Sequence, residues 1–230
     1  MTPLSCSQAP QIAFWLVDID SDASAADAAW STLLSAEERA QADRFHFERD
    51  TRRYRASHAA LRTLLSQATG VPAPELGFVQ GAFGKPGLAR SDAPCFNMSH
   101  SGGWALIAIG GTVPIGVDIE VPRPMDDLHA LAERNFTPAE CEALAASPGP
   151  RQLETFLRCW TRKEACLKAL GSGLSVEPGV FAAGVEPGLR DTHIDVAGQR
   201  CRMSVVSLAL PVQAQAAVAW LSPADRHLAM

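Results

Sequence analysis

Gly110-Gly111-Thr112-Val113-Pro114-Ile115-Gly116-Val117-Asp118-Ile119-Glu120-Val121 is the stretch on which the reading of the whole chain turns. Its first part, two glycines and a proline, breaks any element arriving from the N-terminal side. Its second part alternates: Ile115, Val117, Ile119 and Val121 fall on one face, Asp118 and Glu120 on the other, which predicts a strand ended by Pro122. Outward from this break the order of elements repeats. On the N-terminal side the pattern predicts a strand over Ile12–Asp18 and a short helix opened by the capping box Ser35-Ala36-Glu37-Glu38. A long helix over about Asp50–Ala68 follows, closed by Gly70 and Pro72, then strands at Phe96–Met98 and Trp104–Ile109 joined by a turn at Ser99–Gly103. On the C-terminal side a helix over about Pro138–Ala146 precedes a long helix over about Gln152–Leu170, a Gly-rich break and strands towards Trp220. This order predicts two α+β halves, 1–112 and 113–230, although residue-level self-similarity is not visible in the letters.

Composition narrows the function classes. The 230 residues are 47% hydrophobic and 20% charged with a net charge of −5, which excludes disorder and makes general nucleic-acid binding a poor reading. The best apolar runs, Trp104–Ile109 and Ala216–Leu221, fall far short of the roughly 20 residues that a membrane span needs. The start, MTPLSCSQAP, lacks an export signal. Six cysteines without a CxxC pair predict reduced thiols in a cytoplasmic protein rather than a disulfide framework or a zinc site.

Within this acidic chain residues 39–62 carry seven arginines (Arg39, Arg44, Arg49, Arg52, Arg53, Arg55, Arg62) against Asp43, Glu48 and Asp50. That stretch is either a solvated helix face or a docking surface for an anionic small molecule, since guanidinium forks match phosphate oxygens. There are only three lysines, Lys85, Lys163 and Lys168, against 17 arginines, and each falls in a segment that draws attention on other grounds. Asp118 and Glu120 are either solvated together or hold a hard cation such as Mg²⁺. On the second long helix Phe156, Trp160, Leu167 and Leu170 form an apolar stripe with Glu164 and Lys168 at its edge, one turn apart. That pair is either a surface ion pair or a partnered pair beside the buried face. Lys163, almost within the stripe, must snorkel out or bind something. The Ser/Gly-rich turn at Ser99–Gly103 offers backbone N–H groups for a phosphate, and its His100 is either structural or a donor to such an oxygen. Phe83-Gly84-Lys85-Pro86-Gly87-Leu88 reads as a turn with a lysine at its tip.

Taken in order, FGKPGL, FNMSHSGGWALIAIG, PIGVDIE and FLRCWTRKEACLKALGSGL resemble the 4′-phosphopantetheinyl transferases, specifically the broad-specificity Sfp-type group. LSAEERAQADRFHFERDTRRYRASHAALR is similar as well, so the resemblance covers roughly residues 33–175. It implies an α+β fold of two similar α/β halves related by a pseudo-twofold, each a small sheet packed on a long helix, with the active site in the cleft between them. It implies Mg²⁺-dependent transfer of phosphopantetheine from coenzyme A to a serine of an apo acyl or peptidyl carrier protein, releasing 3′,5′-ADP, by a cytoplasmic monomer. Carried over by motif, Asp118, Glu120 and Glu164 are the implied Mg²⁺ ligands. Gly84, Lys85, Pro86, Asn97, Ser99 and His100 are implied coenzyme A contacts, Lys168 lies beside the scissile pyrophosphate, and Glu164, Lys168, His100 and Asp118 form the catalytic set. Arg53 is the implied 3′-phosphate ligand, with Arg44 second. Where relatives commonly carry a cation this chain has Gln41, which leaves the adenine side to Arg39 or Arg44. A Mg²⁺-dependent hydrolase of coenzyme A or nucleotide pyrophosphates, and a non-catalytic module that binds coenzyme A or a carrier, are the alternatives.

Overall fold

Two four-stranded antiparallel sheets stand back to back, each covered on its outer face by a 22-residue helix, in a computed structural model that describes residues 1–21, 26–81, 83–90, 92–171, 176–196 and 198–228. The first sheet has the order β1 (Thr2–Leu4), β2 (Ala13–Asp18), β6 (Trp104–Ile109), β5 (Phe96–Ser101). The second has the order β7 (Ile115–Glu120), β10 (Gln215–Leu221), β9 (Gln199–Ser207), β8 (Arg190–Val196). A hairpin of β3 (Phe78–Gln80) and β4 (Pro86–Leu88) stands apart. The helices are α1 (Ala26–Leu33), α2 (Ala36–Ala42), α3 (Glu48–Thr69), α4 (Leu128–Asn135), α5 (Pro138–Ala146) and α6 (Gly149–Leu170). The strand alternation read from the letters sorts side chains into three layers. Phe14, Leu16, Leu106 and Ala108 meet Ile115, Val117, Ile119 and Val218 between the sheets. Val17, Ile19, Ala105 and Ile107 face α3, whereas Met203, Val205, Ala217 and Ala219 face α6.

The α+β fold of two similar halves is therefore the observed one, and the duplication reaches single residues that the letters conceal. Both long helices end at a left-handed glycine, Gly70 (φ 72°) and Gly171 (φ 71°). Capping boxes Ser35/Glu38 and Thr137/Glu140 start α2 and α5. Each box glutamate then accepts from a buried cation of the long helix: Arg62 Nε to Glu38 Oε2 at 2.5 Å, and Lys163 Nζ to Glu140 Oε2 at 2.8 Å. Each cation also donates to two carbonyls three residues apart, Ala73 and Leu76 for Arg62, Pro178 and Phe181 for Lys163. Each lies over an aromatic ring, Phe78 at 4.9 Å or Phe181 at 4.8 Å. Lys163 thus neither snorkels nor stands free; it is fully buried and clamps the second half.

Local expectations need three corrections. The predicted turn at Ser99–Gly103 is confined to Gly102-Gly103, because β5 runs on to Ser101, paired with Trp104, so Ser99 and His100 are strand residues. The strip β1, helix α1 and helix α4 were not anticipated from the pattern. The stripe on α6 is divided, Phe156 and Trp160 packing with α4 and α5, Leu167 and Leu170 with the second sheet. The Gly-rich break after α6 lies, for residues 172–175, outside the described residues. All six cysteines are free, and among the described residues no helix is long and apolar enough to cross a membrane.

Candidate active site

The site forms where an edge of each sheet meets the other. On β5 the alternate residues Asn97, Ser99 and Ser101 point towards β7, and their polar atoms make a ladder of side-chain rungs in place of a backbone one. Val117 N–H donates to Asn97 Oδ1 (2.8 Å), Ser99 Oγ donates to Asp118 Oδ1 (2.8 Å), and Ser101 Oγ donates to Glu120 Oε2 (2.8 Å) while accepting from Val121 N–H (3.1 Å). The period-two polar alternation in FNMSHS is the signal that marks this seam, and Ser101 is the member that sequence reasoning passed over. Asn97 and Ser99, implied as coenzyme A contacts, spend their side chains on β7.

The other face of β7 lies against α6. A Cβ added at Gly116 would come within 2.1 Å of the Ala165 carbonyl oxygen and 2.3 Å of the Ala169 nitrogen, so only glycine permits this approach. Asp118 and Glu120 follow on the same face, which is therefore not a solvated one: Asp118 is 4% exposed. Lys168 Nζ donates to Asp118 Oδ1 at 2.6 Å and to Ser99 Oγ at 3.0 Å. Lys168 is thus paired with Asp118 rather than with Glu164, the partner suggested by helical spacing. Asp118 Oδ2 is buried with no hydrogen-bond partner.

Charge at this seam is out of balance. Burial raises the Asp118 carboxyl against the pull of Lys168. Burial raises Glu120 too, with the neighbouring Asp118 adding to it after the opposing Ser101 hydrogen bond. Glu164 is raised by burial and then by Asp118 and Glu120. Three carboxylates therefore repel one another, with a single buried oxygen left over, and this is a donor set that fits a hard divalent cation. They do not close into a ready-made cage. Among the described residues no group of three or more Asp, Glu, His or Cys is gathered to hold an ion, and Lys168 occupies one oxygen of Asp118 and Ser101 one of Glu120.

Beside the seam lies a cleft of about 340 Å³ lined by Phe83, Gly84, Lys85 and Pro86 on one side and Glu164, Leu167, Lys168 and Gly171 on the other, with Asn97 and Met98 as its floor. Pro86, Asn97 and Met98 also border a larger cavity of about 600 Å³ that runs along His58 and Arg62. Lys85 is not at an exposed tip; its Nζ donates to backbone carbonyls of the second half, and burial pushes its pKa down to about 8. Burial lowers the His100 pKa, helped by the nearby Lys168 and Arg53 and opposed by Asp118. Arg53 reaches that region in a bidentate pair with Asp20 (2.6 and 2.5 Å), and Arg39 is bonded to the Leu34 carbonyl. Arg44 is exposed, within 3.5 Å of Gln41.

A 4′-phosphopantetheinyl transferase N-terminal family profile matches residues 23–111, and the 4′-phosphopantetheinyl transferase superfamily profile matches residues 114–202. The chain is 38% identical over 168 residues to 4′-phosphopantetheinyl transferase HetI of Nostoc sp., an alignment covering 72% of this chain and 70% of the relative. It belongs to the 4′-phosphopantetheinyl transferase family. A second relative is 4′-phosphopantetheinyl transferase psf-1 of Bacillus pumilus, 35% identical over 151 residues, 66% of this chain and 64% of the relative. A third is 4′-phosphopantetheinyl transferase Sfp of Bacillus subtilis, 30% identical over 145 residues, 63% of each. One profile matches the segment that supplies Gly84, Lys85 and Pro86 and the other the segment that supplies Glu164 and Lys168, so this transferase carries its cleft between the two matched segments. Family membership also makes it an enzyme acting in phosphopantetheine transfer to carrier proteins.

Proposed function

We propose that this chain transfers 4′-phosphopantetheine from coenzyme A to a serine hydroxyl of an apo acyl or peptidyl carrier protein, with Mg²⁺, releasing 3′,5′-ADP. The observation that carries the reading is Lys168, held by Asp118, standing with Glu164 at the wall of a cleft that Gly84 and Pro86 close from the other half. The serine oxygen forms a bond to the β-phosphorus of coenzyme A, the bond to the bridging oxygen of 3′,5′-ADP breaks, and the hydroxyl proton goes to a base. Glu164, half-buried and raised in pKa, is the base, directly or through a water. Lys168 releases Asp118 and donates to the departing phosphate, where a cation stabilises the charge that develops. Asp118 through its free oxygen, Glu120 and Glu164 would hold Mg²⁺, which supplies charge neutralisation on the pyrophosphate when bound. His100, with Arg53 turning from Asp20, holds the 3′-phosphate end, and positioning of this kind contributes a large share of a phosphoryl-transfer barrier. One chain (halves 1–112 and 113–230) supplies both walls, so a monomer suffices, and the free thiols suit the cytoplasm.

The test is incubation of the purified protein with coenzyme A, Mg²⁺ and a panel of apo carrier domains, followed by intact mass measurement. A gain of one phosphopantetheine on a carrier serine is expected. Consumption of coenzyme A without any carrier would instead identify a pyrophosphate hydrolase, and Mg²⁺-dependent binding without turnover a binding module.

A further inference from the structure

Lys85 is implied by the family resemblance to contact phosphate, yet its ammonium is committed elsewhere. Nζ lies 2.9 Å from the carbonyl oxygen of Ile115 and 2.9 Å from that of Ala169. Both bonds leave a turn of the first half, where Gly81 N–H donates to Lys85 O and Gly84 N–H to Gly81 O, and end on the second half. The two acceptors flank Gly116, the point of closest approach between β7 and α6. Ala169 lies in the last turn of α6, whose carbonyls lack intrahelical donors and whose dipole favours a cation. The residue before it is Lys168, and the residues on either side of Lys85 are Gly84 and Pro86, which wall the same cleft.

We infer that Lys85 is a positioning residue, a strut that ties the Gly84–Pro86 wall to the start of β7 and to the turn of α6 carrying Lys168. Two of its three N–H donors go to these carbonyls, so at most one is left for a phosphate oxygen, and drawing the ammonium fully onto a phosphate would strip both carbonyls of this donor in a half-buried place. The strut sets the spacing between the nucleotide-side wall and Lys168, so its loss misplaces the leaving-group cation more than it weakens nucleotide binding. This rests on the transfer reaction proposed above, but its first readout does not.

The experiment compares the full chain with Lys85→Met, which keeps the stem and removes the donors, and Lys85→Arg, which restores two donors. Without substrate, hydrogen exchange of residues 166–171 and 115–118 should speed up in Lys85→Met and return towards the parent in Lys85→Arg. With coenzyme A, calorimetry at two salt concentrations should give a dissociation constant within about threefold of the parent and an unchanged salt slope. Turnover at saturating coenzyme A should fall roughly 30-fold or more in Lys85→Met, as displacement of a catalytic group does, with partial recovery in Lys85→Arg. If Lys85→Met does not fold, Lys85→Leu, which also lacks donors, carries the same measurements, and Lys85→Arg against the parent still reads the exchange of both segments. Unchanged exchange in those two segments would overturn the strut. So would coenzyme A affinity weakened about tenfold with a shallower salt slope and turnover kept, the pattern of a phosphate ligand. A parent protein that transfers nothing would sink the proposed reaction and leave the exchange result standing.

Discussion

The two halves share one frame and differ in what they place on it. Arg62 matches Lys163 and Gly70 matches Gly171, 101 positions apart, and the strand face turned to each long helix is Trp15, Val17 and Ile19 in the first half and Gly116, Asp118 and Glu120 in the second. The same offset lays Thr63 on Glu164 and Gln67 on Lys168. In the first half the strand face turned to the helix is apolar, Val17 and Ile19 packing with Leu61, Leu64 and Leu65, and Trp15 standing partly buried beside them. In the second half glycine and the alanines 165 and 169 let helix and strand come into backbone contact, so that short carboxylates and a lysine reach one another. Bulk holds the first pair of layers apart and makes a core. Its removal in the second makes room for chemistry. A misleading likeness lies across this comparison: Val17-Asp18-Ile19-Asp20 resembles Val117-Asp118-Ile119-Glu120, but matching the letters shifts the register by one and turns every carboxylate to the wrong face.

The largest expected effect breaks the comparison at its active side. Lys168→Ala and Asp118→Ala should each lower transfer by roughly 10²–10³-fold, the scale on which removal of a positioned charge is felt. Thr63→Ala and Gln67→Ala, at the matching positions of α3, should leave the rate within twofold in the same assay. Loss in the α3 variants as large as in α6 would end the claim that one half alone carries the chemistry.

Next come the clamps. Breaking a buried ion pair by removing one partner costs roughly 3–5 kcal/mol, because a buried charge is left uncompensated. Glu140→Ala, which strands a fully buried Lys163, should therefore cost more in urea unfolding than Glu38→Ala, whose Arg62 is nearly as buried at 2% but whose own carboxylate is more open at 14%. Equal costs would mean that the clamps do not differ as their burial suggests.

Both clamp carboxyls titrate below the ordinary value of 4.5, since hydrogen bonds and the cations outweigh the burial that raises them. The unfolded chain then binds more protons in acid, so this stabilisation is complete above about pH 4.5 and is lost as pH falls through the folded values. Unfolding free energies measured from pH 6 to 3 should fall less steeply in Glu140→Gln than in the parent. A slope that does not change would separate acid sensitivity from the clamp.

Gly116→Ala should destabilise by about 1–3 kcal/mol, the range for overpacking, while lowering transfer through displacement of α6. Rates unaffected by the added methyl would show that the close approach is not needed. The smallest effect belongs to Arg53→Ala. Its pair with Asp20 is largely exposed and worth no more than about 1 kcal/mol, so stability should hardly move while the KM for coenzyme A rises several-fold.

Much of the frame was legible. The alternation of Ile115–Val121 gave β7 its two faces, Ser35/Glu38 marked α2, and glycines with positive φ closed both long helices where the letters placed them. Motif order was enough to point to the family and to nominate Asp118, Glu120, Glu164 and Lys168. The pairing of Lys168 with Asp118 was not legible, because helical spacing relates only residues of one element, and here the partner comes from a strand 50 positions earlier. The extent of β5 was hidden for a similar reason. Ser99 and His100 have turn-like composition, yet Trp104 to Ile109 offers a strand for them to join.

Covalent order by itself determined which side chains alternate, where helices start and stop, and which acidic and basic residues are available. Only the packed molecule decided which of them meet, because that depends on how close two layers can come. A missing Cβ at position 116 fixes that distance on one side, and an ammonium at position 85 bonded to two distant carbonyls fixes it on the other.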